Sequence, residues 1–186
     1  MRQCKERGFT MPELMITLGI VAIVLSTAVP SISSTIKNNR LTGKLNSVVA
    51  DIHYARSEAA KRDVRVILCR SENPNYNNPT CSGDTKVWTS GYIVFADDGN
   101  NTNDDYDNGV DTLLRRGQAA SAEVRLRTNW TWNRNLEFNP NGSTNEGGVA
   151  YMSICDDRGS DYGKQIMVAR SGIPKMYSKN INTCFP

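Results

Sequence analysis

The sequence predicts an α+β fold: one long N-terminal helix packed on a head built as an antiparallel β-sheet. Three observations predict it. An apolar run from Phe9 to Val29 carries a single charge, Glu13. Beyond it, apolar residues recur at helical spacing to about Arg62. From Asp63 onward, short β-rich segments alternate with clusters of Gly, Asn, Asp, Ser and Pro.

The first element is the apolar run. Roughly 20 apolar residues span a bilayer as a helix. Arg2, Lys5 and Arg7 lie just before this one, which predicts a cytoplasmic amino-terminal end and a periplasmic head. A secretory signal also begins with basic and then apolar residues, but here the run is long, no A-x-A site follows it, and the helical pattern continues. Glu13 is the odd member, because a carboxylate in a membrane segment usually has a partner.

The second element continues the helix over residues 31–62. Ile36, Leu41, Leu45, Val48, Val49, Ile52 and Ala59 form one apolar stripe, while Lys37, Asn38, Arg40, Lys44, Asn46 and Asp51 fill the opposite face. Pro30 is placed to kink the helix. His53, the sole histidine, falls beside the stripe and reads as a surface or boundary residue.

The strands follow in order. Segments 64–69, 86–97, 111–116, 122–130, 135–140, 151–156 and 164–170 are each β-rich, and the second reads as one or two strands broken by Gly91. No repeat recurs along the chain. At 186 residues it fits one modest domain with an appendage, and a net charge of +3 is too small to mark a nucleic-acid protein by itself.

Five cysteines are present, Cys4, Cys69, Cys81, Cys155 and Cys184, with no C-x-x-C. That pattern argues against a His/Cys metal site and, behind an export segment, for disulfides made in an oxidising periplasm. No cofactor is implied. There is no P-loop, nucleophile elbow, H-E-x-x-H or dinucleotide fingerprint, so an enzyme is not expected.

Two clusters remain as candidates for binding. The loop from Ala96 to Asp111 is dense in carboxylates, and Asn103, Asp105 and Asp107 alternate like the start of an EF-hand, although Gly109 comes one place late and no glutamate follows at the required spacing. It suits either a calcium site using Asp97, Asp105 and Asp107 or a solvated, turn-rich loop. Arg115, Arg116, Arg125, Arg127, Arg134, Lys164, Arg170, Lys175 and Lys179 punctuate the second half, with Trp130, Trp132, Tyr162 and Tyr177 among them. Such a mixture suits either DNA phosphates or a solvated face.

Gly8-Phe9-Thr10 followed by Glu13 and the apolar run resembles the type IV prepilin signal, with Met11-Pro12 where Leu-Ile is usual. Proline fits a first helical turn, where its missing N–H would have no partner anyway. The resemblance implies a leader, 1–8, cut after Gly8 by a prepilin peptidase. It also implies N-methylation of Phe9 and pairing of Glu13 with the terminal amine of a neighbouring pilin in the filament. Residues 9–30 would form the transmembrane and filament-core helix, and 63–186 the head. Loss of the leader removes Cys4 and leaves an even number of cysteines.

Farther along, ARSEAAKRDVRVILC, Cys81, W-x-x-G-Y-I-V-F-x-D, DTLLR, FNPNGS, Cys155 and Cys184 resemble the GspH/FimT family of minor pilins and pseudopilins. In detail they look closer to minor pilins of type IV pili than to the H pseudopilin of type II secretion. The resemblance implies a type IV pilin-like fold, bridges Cys69–Cys81 and Cys155–Cys184, a C-terminal strand pinned by the second bridge, and a place in a minor-pilin complex that primes pilus assembly. Partners would be major and minor pilins, the peptidase and the inner membrane. Some members bind DNA during transformation through Gly-Arg-x-Arg on the C-terminal tail; here that place reads Gly172-Ile173-Pro174-Lys175, with Arg170, Lys175 and Lys179 as the candidate contacts.

Overall fold

The structure, a computed structural model, describes residues 8–82, 86–99, 104–128, 135–145, 149–178 and 184, and the side chains of 27–31 and 178 lie outside that description. The chain divides into two units, Met1–Asn38 and Asn39–Pro186.

Helix α1 spans Met11–Arg62, 52 residues, and is helical through Pro30. Its end is marked by Asp63, which takes a left-handed φ of 59° while its N–H donates to the Ala59 carbonyl at 3.1 Å. Asp is one of the few side-chain-bearing residues that visit this region, and it stands where helices usually place glycine. Lys61 and Arg62 in the last turn complement the negative end of the helix.

In the first unit the described apolar side chains are exposed on every side of the helix, from Phe9 through Leu25 and again at Ile32 and Ile36. A helix that is apolar all round is one that buries itself in lipid or among other helices. Ile36, expected on the packed stripe, belongs to this exposed set.

In the second unit Leu41, Leu45, Val48, Ile52 and Ala59 are buried as expected, with Ala55 added. They share one core with two four-stranded sheets rather than one. The strands are β1 Arg65–Arg70, β2 Tyr92–Asp97, β3 Thr112–Gly117, β4 Arg125–Thr128, β5 Asn135–Phe138, β6 Ala150–Cys155, β7 Lys164–Val168 and β8 Pro174–Ser178. One sheet has the order β3-β2-β1-β5 and the other β4-β6-β7-β8, all pairs antiparallel.

Periodicity reports which face a residue takes but not which strand it pairs with, so the division into two sheets was not readable from it. Val66, Leu68, Val94 and Phe138 face the shared core, together with Leu126, Met152, Ile154 and Ile166 of the second sheet. Each such side chain contributes roughly 1.5–3 kcal/mol by leaving water. The other face of β1 and β2 is also covered: Ile67, Cys69, Ile93 and Phe95 pack under Tyr106, Leu113 and Cys81. Burial on both faces explains why β1 and β2 read as near-continuous apolar runs.

Gly91 breaks the segment 86–97 as expected, and the reason is steric. It has φ 125°, and a Cβ there would sit 2.7 Å from the Gly117 carbonyl. The stretch before it crosses between sheets, with Val87 bridging Arg127 and Trp88 buried in the core. Residues 174–178, read from sequence as part of the tail, form β8 on β7, and Pro174 takes the first strand position, where proline is tolerated. Cys69 is bonded to Cys81 and Cys155 to Cys184.

Candidate functional site

The first candidate lies at the start of α1. Thr10 stands just before the helix, and the Leu14 N–H donates to its carbonyl at 3.1 Å. Its own N–H lies 3.5 Å and its hydroxyl 3.4 Å from Glu13 Oε2. This is the carboxylate half of a capping box, T-x-x-E, in which the acid three residues in satisfies an otherwise orphaned donor. The bonds are long and the site is open to solvent. Glu13 therefore already serves a local purpose in the single chain, one that the spacing Thr10-x-x-Glu13 announces. Gly8 and Phe9 are exposed beside it, Phe9 to 79%. Among the described residues no helix is long and apolar enough to cross a membrane. The expected span, 9–30, includes 27–30, whose side chains lie outside the description.

The second candidate is the acidic loop. Arg65 on β1 occupies its centre, pairing with Asp97 and lying 3.5 Å from Asp104 and 3.6 Å from Glu137. Burial pushes the Asp97 carboxyl above its usual range, with Arg65 pulling the other way. Burial likewise raises Glu137, opposed by its hydrogen bond from Asn145 and assisted by the Asp104 charge. The calcium set Asp97, Asp105 and Asp107 does not converge: among the described residues no group of three or more His, Cys, Asp or Glu could hold a metal ion. Asp97 is taken up by Arg65. The Asp107 N–H donates to Asp111, closing the loop on itself. Asn103 lies outside the described residues.

The third candidate is the basic set. Arg170 and Lys175 are both exposed, in the turn after β7 and on β8. Lys179, Trp130, Trp132 and Arg134 lie outside the described residues. Arg115 and Arg116 are committed within the head, Arg115 to Asp51 at 2.8 Å and Arg116 to the Pro74 and Tyr76 carbonyls. Tyr162 lies under Arg158, 4.4 Å from the guanidinium carbon to the ring centre.

The register sorts the remainder. Directly opposed residues of antiparallel strands share a face. Arg127 opposes Ser153, which opposes Gln165, which opposes Tyr177; Tyr151 opposes Met167, which opposes Lys175. Arg125, two places before Arg127 on β4, takes the same side. One face of the second sheet thus gathers Arg125, Arg127, Lys175, Tyr151 and Tyr177, with no carboxylate at its paired positions. Sequence reading found the arginines but had no means of placing them beside Lys175. His53 is exposed on α1.

Residues 44–172 match the family described as Type II transport protein GspH. The chain belongs to the GspH family. Residues 3–29 of this GspH-family protein match the prokaryotic N-terminal methylation motif. Among curated proteins none matches it. Two crystal structures of the type IV minor pilin FimU of Pseudomonas aeruginosa are similar to it. One has a TM-score of 0.56 at 17% identity, covering 78% of this chain and 100% of that one. The other has 0.57 at 17%, covering 80% and 98%. At that identity the likeness speaks for the fold, a type IV pilin-like head carried on a long N-terminal helix.

Proposed function

We propose that this GspH-family protein is a minor type IV pilin, a structural subunit rather than an enzyme. In this reading prepilin peptidase cuts after Gly8 and Phe9 is methylated. The helix from Phe9 to Pro30 holds the subunit in the inner membrane with its head in the periplasm, and the subunit then enters a pilus beside other minor and major pilins, helping to prime assembly. The observation that carries the reading is the first unit: the described apolar side chains are exposed on every side of the helix, with one carboxylate, Glu13, at its very start. Such a surface is stable only inside lipid or among like helices, and a buried carboxylate is tolerable when an ammonium matches it.

The test is Glu13→Ala in the full chain, followed in membrane fractions and in sheared pili. The subunit is expected to stay in the membrane and be depleted from pili; undiminished incorporation overturns the mechanism. Deleting the gene separates the pilus role from that of a type II secretion pseudopilin, which the family's description would favour. Loss of pili supports the first, and loss of secretion with intact pili supports the second.

A second reading, a DNA-binding subunit, is favoured by the face of Arg125, Arg127, Lys175, Tyr151 and Tyr177, which has no carboxylate at its described paired positions. A gel shift of the full chain at low salt tests it, with Arg125, Arg127 and Lys175 changed together to alanine. Retardation that weakens with salt and with the triple change supports it; no retardation at low salt removes it.

A further inference from the structure

A pocket of about 380 Å³ opens between α1 and the segment 118–124, lined by Arg40, Gly43, Lys44 and Ser47 from the helix and by Gln118 and Ser121 among its other walls. Positions 40, 43, 44 and 47 follow the i, i+3, i+4, i+7 pattern of one helix face. At the rim Arg40 pairs with Glu123, which matches its charge. Lys44 is different. Its Nζ donates to a neutral group, the Gln118 carbonyl, and sits 5.7 Å from the centre of the Tyr92 ring. Burial lowers its pKa, with the Asp51 charge acting the other way, so the ammonium is held where it is incompletely compensated.

Gly43 adds an independent observation. Glycine inside a helix is less stable than alanine by about 1 kcal/mol. Nothing among the described residues asks for it, since a Cβ at Gly43 would meet no atom within 4 Å. The missing side chain leaves the helix flank of the pocket bare. A residue that weakens its own helix and relieves no internal clash makes room for something from outside.

We propose that this pocket receives a carboxylate side chain of an adjacent pilin-family subunit, with Lys44 as its counter-ion, the Ser47 and Ser121 hydroxyls beside it, and Gly43 providing clearance. The inference rests on the filament-subunit reading above. Charge selects the occupant. Arg40 is matched by Glu123, whereas Lys44 has no direct ion pair among the described residues and only the more distant Asp51 charge to offset it, so the pocket offers one incompletely compensated positive charge. That suits a monoanion, whereas a phosphate monoester, carrying about −1.5 to −2 at neutral pH, would stay under-neutralised.

The experiment uses the full chain in cells that make pili. A photo-crosslinking amino acid at Ser47 is expected to capture another pilus subunit through a segment containing Asp or Glu. Lys44→Ala and Gly43→Ala are each expected to lower the amount in sheared pili about fivefold, the factor for roughly 1 kcal/mol, while Lys44→Arg retains incorporation. In detergent-solubilised protein Gly43→Ala is expected to raise the melting temperature. Stability up with assembly down is a split that a purely internal role for Gly43 cannot produce. Normal incorporation of both alanine variants, a lowered melting temperature for Gly43→Ala, or crosslinks to lipid alone overturns the inference. Absence of the unaltered subunit from pili overturns the filament reading itself, and this inference with it.

Discussion

Arg56 Nε donates to the Gly142 carbonyl at 3.0 Å, tying α1 to the turn that follows β5. The same guanidinium lies against Gly172, in the turn before β8, where a Cβ would come within 3.3 Å of Arg56 and 2.2 Å of the Gly142 carbonyl. One helical side chain thus fastens the ends of both sheets.

Gly172 has φ 72° as well as that steric block. Gly172→Ala is expected to destabilise the head by about 2–3 kcal/mol, since a left-handed alanine and a backbone clash add. Gly109→Ala is the control, with φ 87° but nothing within 4 Å, and should lose only about 1 kcal/mol. Denaturant melts of the two variants side by side check the difference.

Tyr92 donates its phenolic proton to Asp51 at 2.7 Å inside the core, and Arg115 holds the other carboxylate oxygen at 2.8 Å. Tyr92→Phe leaves a buried acceptor short of a donor and should destabilise by about 1–3 kcal/mol. Burial, with the Asp51 charge beside it, also pushes the Tyr92 phenol far above its ordinary value of 10.0. Its folded pKa is raised, so its contribution is whole below the ordinary value and is lost as pH climbs above it. An absorbance titration should find this tyrosine ionising only as the head unfolds.

Glu137 and Asp97 carry the opposite lesson for acids. Both are raised by burial, so the folded head binds their protons more tightly than the unfolded chain does. Their contribution favours folding below the ordinary carboxylate range and turns against it as pH rises toward neutrality. Glu58, lowered by its bond from Arg62, runs the other way and gains with pH. A difference curve isolates the effect: Glu137→Gln should show a flatter loss of stability than the unaltered head on leaving pH 4.5, the ordinary glutamate value.

The two bridges close loops of different size, with sequence separations of 12 and 29. Loop-closure entropy predicts losses of about 3 kcal/mol on removing Cys69–Cys81 and about 3.5 kcal/mol on removing Cys155–Cys184. Paired Cys→Ser variants compared by denaturant midpoint test that order.

Much of this was legible in the sequence. The helix was, because its apolar stripe at Leu41, Leu45, Val48 and Ile52 has the period that only a helix can bury. The strands were, because Gly, Asn and Asp punctuate them. The pairing of β1 with β5 and of β4 with β6 was not, since each joins segments far apart in the chain and depends on contacts that no local pattern encodes. The spacing of the cysteines leaves more than one connectivity open, and only family resemblance chose among them. Gly8, Phe9 and Glu13 stood out through the same resemblance, although Thr10-x-x-Glu13 carried a physical signal of its own. The pocket at Lys44 was illegible, because residues 40–47 and 118–121 meet only in the fold.

Arg65 has a bearing beyond its three carboxylate neighbours. The cation that faces Asp97, Asp104 and Glu137 is a side chain of β1 rather than a dissolved ion. A covalently held cation cannot be lost to a chelator, and ionic strength weakens its hold only by screening these partly exposed pairs.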